Sequence, residues 1–182
     1  MNNTPTITIR IATQADPALL TDLGRQAFYE AFGADNTPED MAAYLAGAFS
    51  PEKQAAELAD PATRFLIAET GGQPAGYARL RAGPAPACAM GKRPLEIVRF
   101  YALRAWIGRG VGPALMQASL DYAVQLGCDL VWLDVWEQNP RAIAFYRKWG
   151  FEVCGTQTFQ LGSDLQTDLI MSRALGTETA PL

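Results

Sequence analysis

Not one histidine occurs among the 182 residues, and only three cysteines do. Without histidine there is no Ser–His or Cys–His pair to activate a nucleophile, so Cys88, Cys128 and Cys154 lack the partner that covalent catalysis requires. The same absence, with no Cys-x-x-Cys pair, removes the usual zinc ligands, and no metal site is expected. The scattered cysteines make no disulfide framework; Cys128 and Cys154 lie next to apolar strands and read as small core residues. Missing too is any uninterrupted apolar run of about 18 residues, the length a membrane-spanning helix needs. The opening MNNTPTITIR has neither the basic nor the apolar region of a secretory signal, so the cytoplasm is the expected compartment. Basic residues are the minority, 15 against 19 acidic for a formal charge of −4. That balance opposes nucleic-acid binding and is compatible with attracting small cations.

What is present suits a single domain over residues 1–182 with its core at about 6–175, since 49% of the chain is hydrophobic and no repeat divides it. TITIRIAT at 6–13 alternates like a first strand, and PALLTDLGRQAFYEAF at 17–32 has helical apolar spacing. A second helix is expected after Thr37-Pro38-Glu39 and a shorter third from Pro51-Glu52. RFLIAET and PAGYARLRA form an antiparallel pair about Gly71-Gly72. The proline-rich GPAPACAMGKRP at 83–94 reads as a mobile loop, FEVCGTQTFQL and LQTDLIMSR as a closing hairpin, and GTETAPL as a frayed end.

Two helix starts carry the chemistry. After the strand-like LEIVRFYAL at 95–103, Gly108, Gly110 and Gly112 alternate in IGRGVGPALM, and a helix follows with Pro113 as its first residue. Glycines let backbone N–H groups approach an anion, and the first N–H groups of a helix lack internal partners at the positive end of its dipole. A pyrophosphate suits such a loop. A plain structural turn is the alternative, and so is a dinucleotide fingerprint with Asp134 as its ribose acid. Leu115 stands where the third fingerprint glycine would be, and the motif lies late in the chain, so both features oppose the dinucleotide reading. The second start is Asn139-Pro140, an N-cap before a proline at the first helical position, and Gly150 closes that helix. Ala142, Phe145, Tyr146 and Trp149 recur at i, i+3, i+4 and i+7 on one buried face, which by itself leaves Tyr146 as core packing and Asn139 as a cap.

Strand, glycine loop, helix, strand at 129–136 and then N-x-x-A-x-x-F-Y-x-K-x-G-F together resemble the GCN5-related N-acetyltransferase (GNAT) superfamily over roughly residues 62–173. The resemblance implies an α/β (α+β) fold. Its mixed central sheet would have about seven strands flanked by helices, with splayed central strands holding acetyl-coenzyme A. It implies a pyrophosphate-binding loop of Ile107, Gly108, Arg109, Gly110, Val111 and Gly112. It also implies cofactor contacts at Asn139 and Ala142, Tyr146 as the acid that protonates the departing thiolate, and a backbone N–H near Ala102 or Leu103 for the oxyanion. Ile107 departs from the Gln or Arg usual at its position, removing a side-chain contact to phosphate. AFYEAFGADNTPEDMAAYLAGAF at 27–49, LEIVRFYAL, VWEQNPRAIAFYRKWGF and QTDLIM are further similar to PaiA-type bacterial spermidine/spermine N-acetyltransferases, which implies a polyamine or related small-amine acceptor. Val98 stands where those relatives carry a second acid.

An alkylammonium of pKa ~10.4 is only on the order of 0.1% neutral at pH 7, so a base must deprotonate it before it attacks a thioester. Glu96 is the candidate, in register with the catalytic glutamate of histone-type members. Strand alternation groups it with Val98, Phe100 and Ala102 among apolar neighbours that would raise its pKa. The alternatives are a solvated strand-end carboxylate and a water chain. Acceptor selection is expected from the N-terminal helices and final hairpin. Tyr29, Glu30 and Asp35 would form an acidic groove, with Trp136 and Phe159 packing on methylenes or a cation, although these acids, like Glu39 and Asp40, also suit solvated helix ends. Asp168 is equally readable as structural. The expected activity is direct acetyl transfer to a small-molecule amine, against a peptide N-terminus, amino acid or aminoglycoside-like acceptor, or a non-catalytic acyl-coenzyme A-binding regulator. Oligomeric state stays open, with a homodimer through the closing strands as one assembly such folds form.

Overall fold

The computed structural model describes residues 6–176, so the fraying expected over GTETAPL falls, beyond Gly176, outside the described residues. Strand β1 (Ile7–Ile11) leads into helices α1 (Pro17–Phe32), α2 (Pro38–Ala48) and α3 (Pro51–Ala59). Then come β2 (Thr63–Thr70), β3 (Gln73–Ala82), β4 (Pro94–Ala102), a short 3-10 turn at Arg104–Trp106 and α4 (Val111–Gln125). The chain ends in β5 (Leu130–Trp136), α5 (Pro140–Lys148), β6 (Glu152–Leu161) and β7 (Asp164–Ala174). Local chemistry sets these boundaries. The Thr37 and Ser50 hydroxyls accept from the N–H groups of Asp40 and Lys53 at 3.2 Å, each ahead of a proline in the first turn. Gly71 and Gly72 both take positive φ, as a two-residue hairpin turn between right-twisted strands demands.

Seven strands form one sheet in the order β1-β2-β3-β4-β5-β7-β6, the expected mixed sheet with helices on both faces. Against one face pack α4 and α5, with Leu80, Leu95, Ile97, Leu115, Met116, Leu133, Tyr146 and Phe151 in a continuous cluster. Helices α1 to α3 cover the other face through Leu20, Leu23, Phe28, Met41, Phe49, Phe65 and Tyr77. The segment at 83–94, expected to be mobile, is held at several points. Ala89 is buried against Leu130, Trp132 and Ile170, and the Asp129 carboxylate accepts from the N–H groups of Lys92 and Arg93 at 2.8 and 2.9 Å.

The sheet opens at its centre. Strands β4 and β5 pair in parallel from Pro94↔Leu130 to Ile97↔Leu133, and beyond that point β4 runs on to Ala102 and β5 to Trp136 without pairing. A bulge sits at the same level: Leu80 faces Ile97 while Arg79 faces Arg99, leaving Val98 as an extra residue with no partner on β3. The extra residue reverses the side-chain alternation, which corrects the grouping of Glu96 with Phe100 and Ala102. Glu96 lies on the α1–α3 face, across from Arg81, whereas Phe100 and Ala102 pack on the α4 face with Ile97.

One buried ion network ties α3 to this region. Glu57 accepts from Arg79 at 2.8 Å and from Arg99 at 2.6 Å, and Arg99 also lies over the Phe49 ring. Removing the carboxylate would leave two buried guanidinium groups without their anion, so Glu57→Leu is expected to lower stability by about 3–5 kcal/mol in urea denaturation. An unmoved midpoint would show that the network contributes nothing net.

Candidate active site

The glycine loop reaches the sheet at the end of the opening. Gly108 and Gly110 have φ of 76° and 93°, left-handed values that favour glycine, and Gly110 is the N-cap of α4. Helix α4 therefore begins at Val111, two residues before the start expected at Pro113, which occupies its first turn where no N–H is needed. The N–H groups of Ile107 and Arg109 are committed to the carbonyls of Arg104 and Trp106. Those of Gly108, Gly110, Val111 and Gly112 have no acceptor among the described residues. Free donors, left-handed glycines and a helix N-terminus fit an anion such as a pyrophosphate. The Arg109 guanidinium stacks over Trp106 at 5.6 Å from the ring centre, and Val111 is wholly buried, so each enters the loop through its backbone and its packing.

Helix α5 supplies the phenol. Asn139 caps it by accepting from the Ala142 N–H at 3.1 Å, leaving the Asn139 amide donors for another partner. The chain leaves α5 through Gly150 at φ 80°, with the Phe151 and Gly150 N–H groups bonded to the Tyr146 and Arg147 carbonyls, a Schellman closure. Tyr146 lies between Phe100, Phe145 and Phe151, with ring centres 5.5–6.1 Å away. Burial pushes its phenol well above the usual value, so it keeps its proton at neutral pH.

These groups share a cleft of about 750 Å³ between the diverging strands. Ala102, Ile107, Gly108, Gly110, Gly112, Asn139, Ala142 and Tyr146 line it on the loop and α5 side, with Glu96, Trp136 and Phe159 elsewhere on its wall. Leu103 does not join them: its N–H donates to the Ala75 carbonyl at 2.9 Å and its side chain packs in the α1–α3 cluster. Backbone groups alternate along a strand, so the Ala102 N–H, one residue earlier, points away from β3 toward the unpaired edge. Tyr29, Glu30 and Asp35 also lie outside the lining. At about 100° per residue, α1 turns Phe28, Ala31 and Phe32 to the cleft and carries Tyr29 and Glu30 away. Glu30 instead accepts from the Arg104 N–H at 2.6 Å, anchoring α1 to the 3-10 turn.

Glu96, expected among apolar neighbours, accepts from Arg81 Nε and Nη2 at 3.0 and 2.5 Å. Two carboxyl groups have raised pKa values. Asp134 is pushed up to about 6 by burial and then by the charges of Glu96 and Asp168, and Asp168 also stands at about 6, through burial and then Glu137. One oxygen of each is buried with no hydrogen-bond partner among the described residues, and both side chains line the cleft. The sequence reading treated Asp134 only as a ribose acid and left Asp168 undecided. Their signal lay in strand alternation: Leu130, Trp132, Asp134 and Trp136 share one face of β5, and an acid inside such a row asks for a partner.

Comparison with known proteins identifies the family. The sequence profile described as Acetyltransferase (GNAT) family matches residues 25–151. The chain is 33% identical over 153 residues, 84% of its length and 88% of the relative's, to an uncharacterized N-acetyltransferase of the pepI 3′ region in Lactobacillus delbrueckii subsp. lactis. It is 30% identical over 156 residues, 84% of its length and 83% of the relative's, to the N-alpha-acetyltransferase RimI of Mycobacterium tuberculosis. In fold it is similar to the crystal structure of a PaiA N-acetyltransferase from Thermoplasma acidophilum in complex with coenzyme A, with TM-score 0.75 and 21% identity over 93% of this chain and 99% of that one.

Gly110→Asp adds a side chain at φ 93° and a negative charge beside the free N–H groups. Left-handed backbone costs a non-glycine residue about 1–2 kcal/mol, so coenzyme A affinity measured by calorimetry is expected to fall at least ~10-fold. Unaltered affinity would put the pyrophosphate elsewhere.

Proposed function

The chain belongs to the acetyltransferase (GNAT) family and is an acetyl-coenzyme A-dependent N-acetyltransferase, and from that premise we propose that it acetylates a small cationic amine, a polyamine or a related primary amine, by direct transfer. The observation that carries the reading is the cleft itself. Four free loop N–H groups, a protonated tyrosine and two carboxyl groups without cationic partners meet where β4 and β5 part. Acetyl-coenzyme A supplies the activated thioester. The N–H groups of Gly108, Gly110, Val111 and Gly112 would hold its pyrophosphate, and Asn139 and Ala142 would border it.

The acceptor arrives as an ammonium and has to lose a proton. Glu96 is less suited to take it, because two hydrogen bonds from Arg81 occupy its Oε2. Asp134, with a buried oxygen unpartnered and a pKa of about 6, is ionised at neutral pH and close enough to it to act as an effective base. We therefore move the role of base from Glu96 to Asp134 and give Glu96 a share, after burial, in raising it. The Ala102 N–H faces the negative charge that develops on the acyl oxygen, Tyr146 donates its proton to the departing sulfur, and the second proton of the acylated nitrogen, passed on through solvent, restores the phenol. A second reading, a peptide N-terminal amine, draws on the relative named as an N-alpha-acetyltransferase.

Thiol release from acetyl-coenzyme A across spermidine, spermine, amino acids, short peptides and aminoglycosides tests the acceptor class. Turnover on polyamines is expected; turnover on peptides alone would select the second reading, and silence despite coenzyme A binding would favour a regulator. Tyr146→Phe should lower turnover ~10²-fold or more with cofactor affinity nearly unchanged, and undiminished turnover would remove Tyr146 as the acid. Activity requires ionised Asp134, so it should rise with pH through about 6 and level off above. Asp134→Asn should lose that limb and ~10²–10⁴ of the rate, whereas a wild-type profile would return the role to another base.

A further inference from the structure

Asp168 exchanges no proton in the chemistry above, yet it is 8% exposed and its Oδ1 is buried without a hydrogen-bond partner among the described residues. It stands across from Trp136 on β5 and Gln157 on β6, on the floor of the cleft beneath α1 and α2. Four aromatic rings surround this end. Phe32 meets Trp136 edge-on with centres 6.2 Å apart, and Tyr44 meets Phe159 edge-on at 5.6 Å. Among the described residues two arginines line the cleft, Arg99 and Arg141, and Arg141 is exposed in the first turn of α5. Arg99 is bound to Glu57, Arg81 to Glu96, and the Gln166 amide donates to Asn36 and Asp164, each at 2.8 Å in the last case. A buried carboxylate without a cation is costly, and aromatic faces favour a desolvated cation, so the chemistry of this box suits a cation.

Asp134 faces Ile170, and Asp168 lies two residues before Ile170 on the same strand. The two acids are therefore diagonal neighbours on one face of the sheet, about 7–8 Å apart at the backbone. We propose that Asp168, walled by Phe32, Tyr44, Trp136 and Phe159, is a second cation site that binds a distal ammonium group of the acceptor while Asp134 receives the reacting one. The inference rests on the acetyl-transfer reading above and sharpens it. The preferred acceptor is a dication with its two nitrogens about three or four methylenes apart, the span of the two acids. Specificity then comes from a site that never touches the reacting atoms, and Asp168 is a specificity residue.

The test compares 1,4-diaminobutane with 4-amino-1-butanol, which keeps the length and the reacting amine but replaces the distal ammonium with a hydroxyl. In the wild-type protein kcat/KM should favour the diamine at least ~10-fold, with the difference in KM. Asp168→Asn, nearly isosteric, should bring the ratio close to one, and Phe159→Leu should lower it part of the way. Calorimetric binding of the same two compounds to the coenzyme A complex supplies a readout independent of turnover. Preference for the diamine that vanishes in Asp168→Asn while no amine is acetylated would keep the site and sink the acetyl-transfer reading. Equal binding of the two compounds, or a preference that survives in Asp168→Asn, overturns the site whatever the turnover.

Discussion

Everything in the active region depends on β4 and β5 ceasing to pair after Ile97 and Leu133. Two strands that part inside a sheet leave N–H and C=O groups unsatisfied, a cost normally avoided. Here the extra residue Val98 accompanies the separation. It bends β4 away and turns Phe100 and Ala102 toward α4 while Arg99 and Tyr101 stay toward α1 to α3. The unpaired edge of β4 becomes a binding surface in place of a sheet contact. The glycine loop follows β4 by way of one 3-10 turn and α5 follows β5 directly, so both are delivered to the mouth of the gap. Their side chains and N–H groups converge because the strands that carry them diverge.

Charge is distributed so that structural pairs and open sites are kept apart. Glu57 holds Arg79 and Arg99, and Glu96 holds Arg81; these arginines come from β3 and β4. On β5 and β7 the acids Asp134 and Asp168 have no such partner among the described residues, and burial raises both. Pairing stabilises the ionised form of a carboxyl and weakens it as a base, whereas burial without pairing brings its pKa toward neutrality. The β4 side of the cleft thus carries paired charge, and its β5–β7 side carries two acids without a paired arginine among the described residues.

How much of this was readable in the sequence varied with the range of the interaction. Helix starts at Thr37, Pro51 and Asn139, the Gly71-Gly72 turn and the loop glycines announced themselves because each is a local event of a few residues. The mixed sheet of about seven strands and the meeting of Tyr146 with the glycine loop were legible through a family resemblance. The bulge at Val98 was not, since an apolar residue in an apolar strand carries no mark of being extra, and the error moved Glu96 to the wrong face. Tyr29 and Glu30 misled for a similar reason. Their polarity was visible, but the side of α1 that faces the cleft depends on how the helix packs. Asp168 and Asp134 needed the β5–β7 register before they became neighbours.

The same register bears on the route of the proton. Asp134 extends from β5 on the α1–α3 side of the sheet, while Val135 and Tyr146 belong to the cluster under α4 and α5. The proposed base and acid therefore stand on opposite faces, and the gap between β4 and β5 is where both line one cleft. In the proposed reaction a proton leaves the acceptor on one face and another reaches sulfur on the other. Such an arrangement has no use for a covalent enzyme intermediate. It suits a chain without histidine, in which none of the three cysteines lines the cleft. The acid and the base need never exchange a proton within one catalytic event, so their acidities can be set independently. Burial can hold Tyr146 protonated on one face while burial, helped by the charges of Glu96 and Asp168, brings Asp134 up to about 6 on the other.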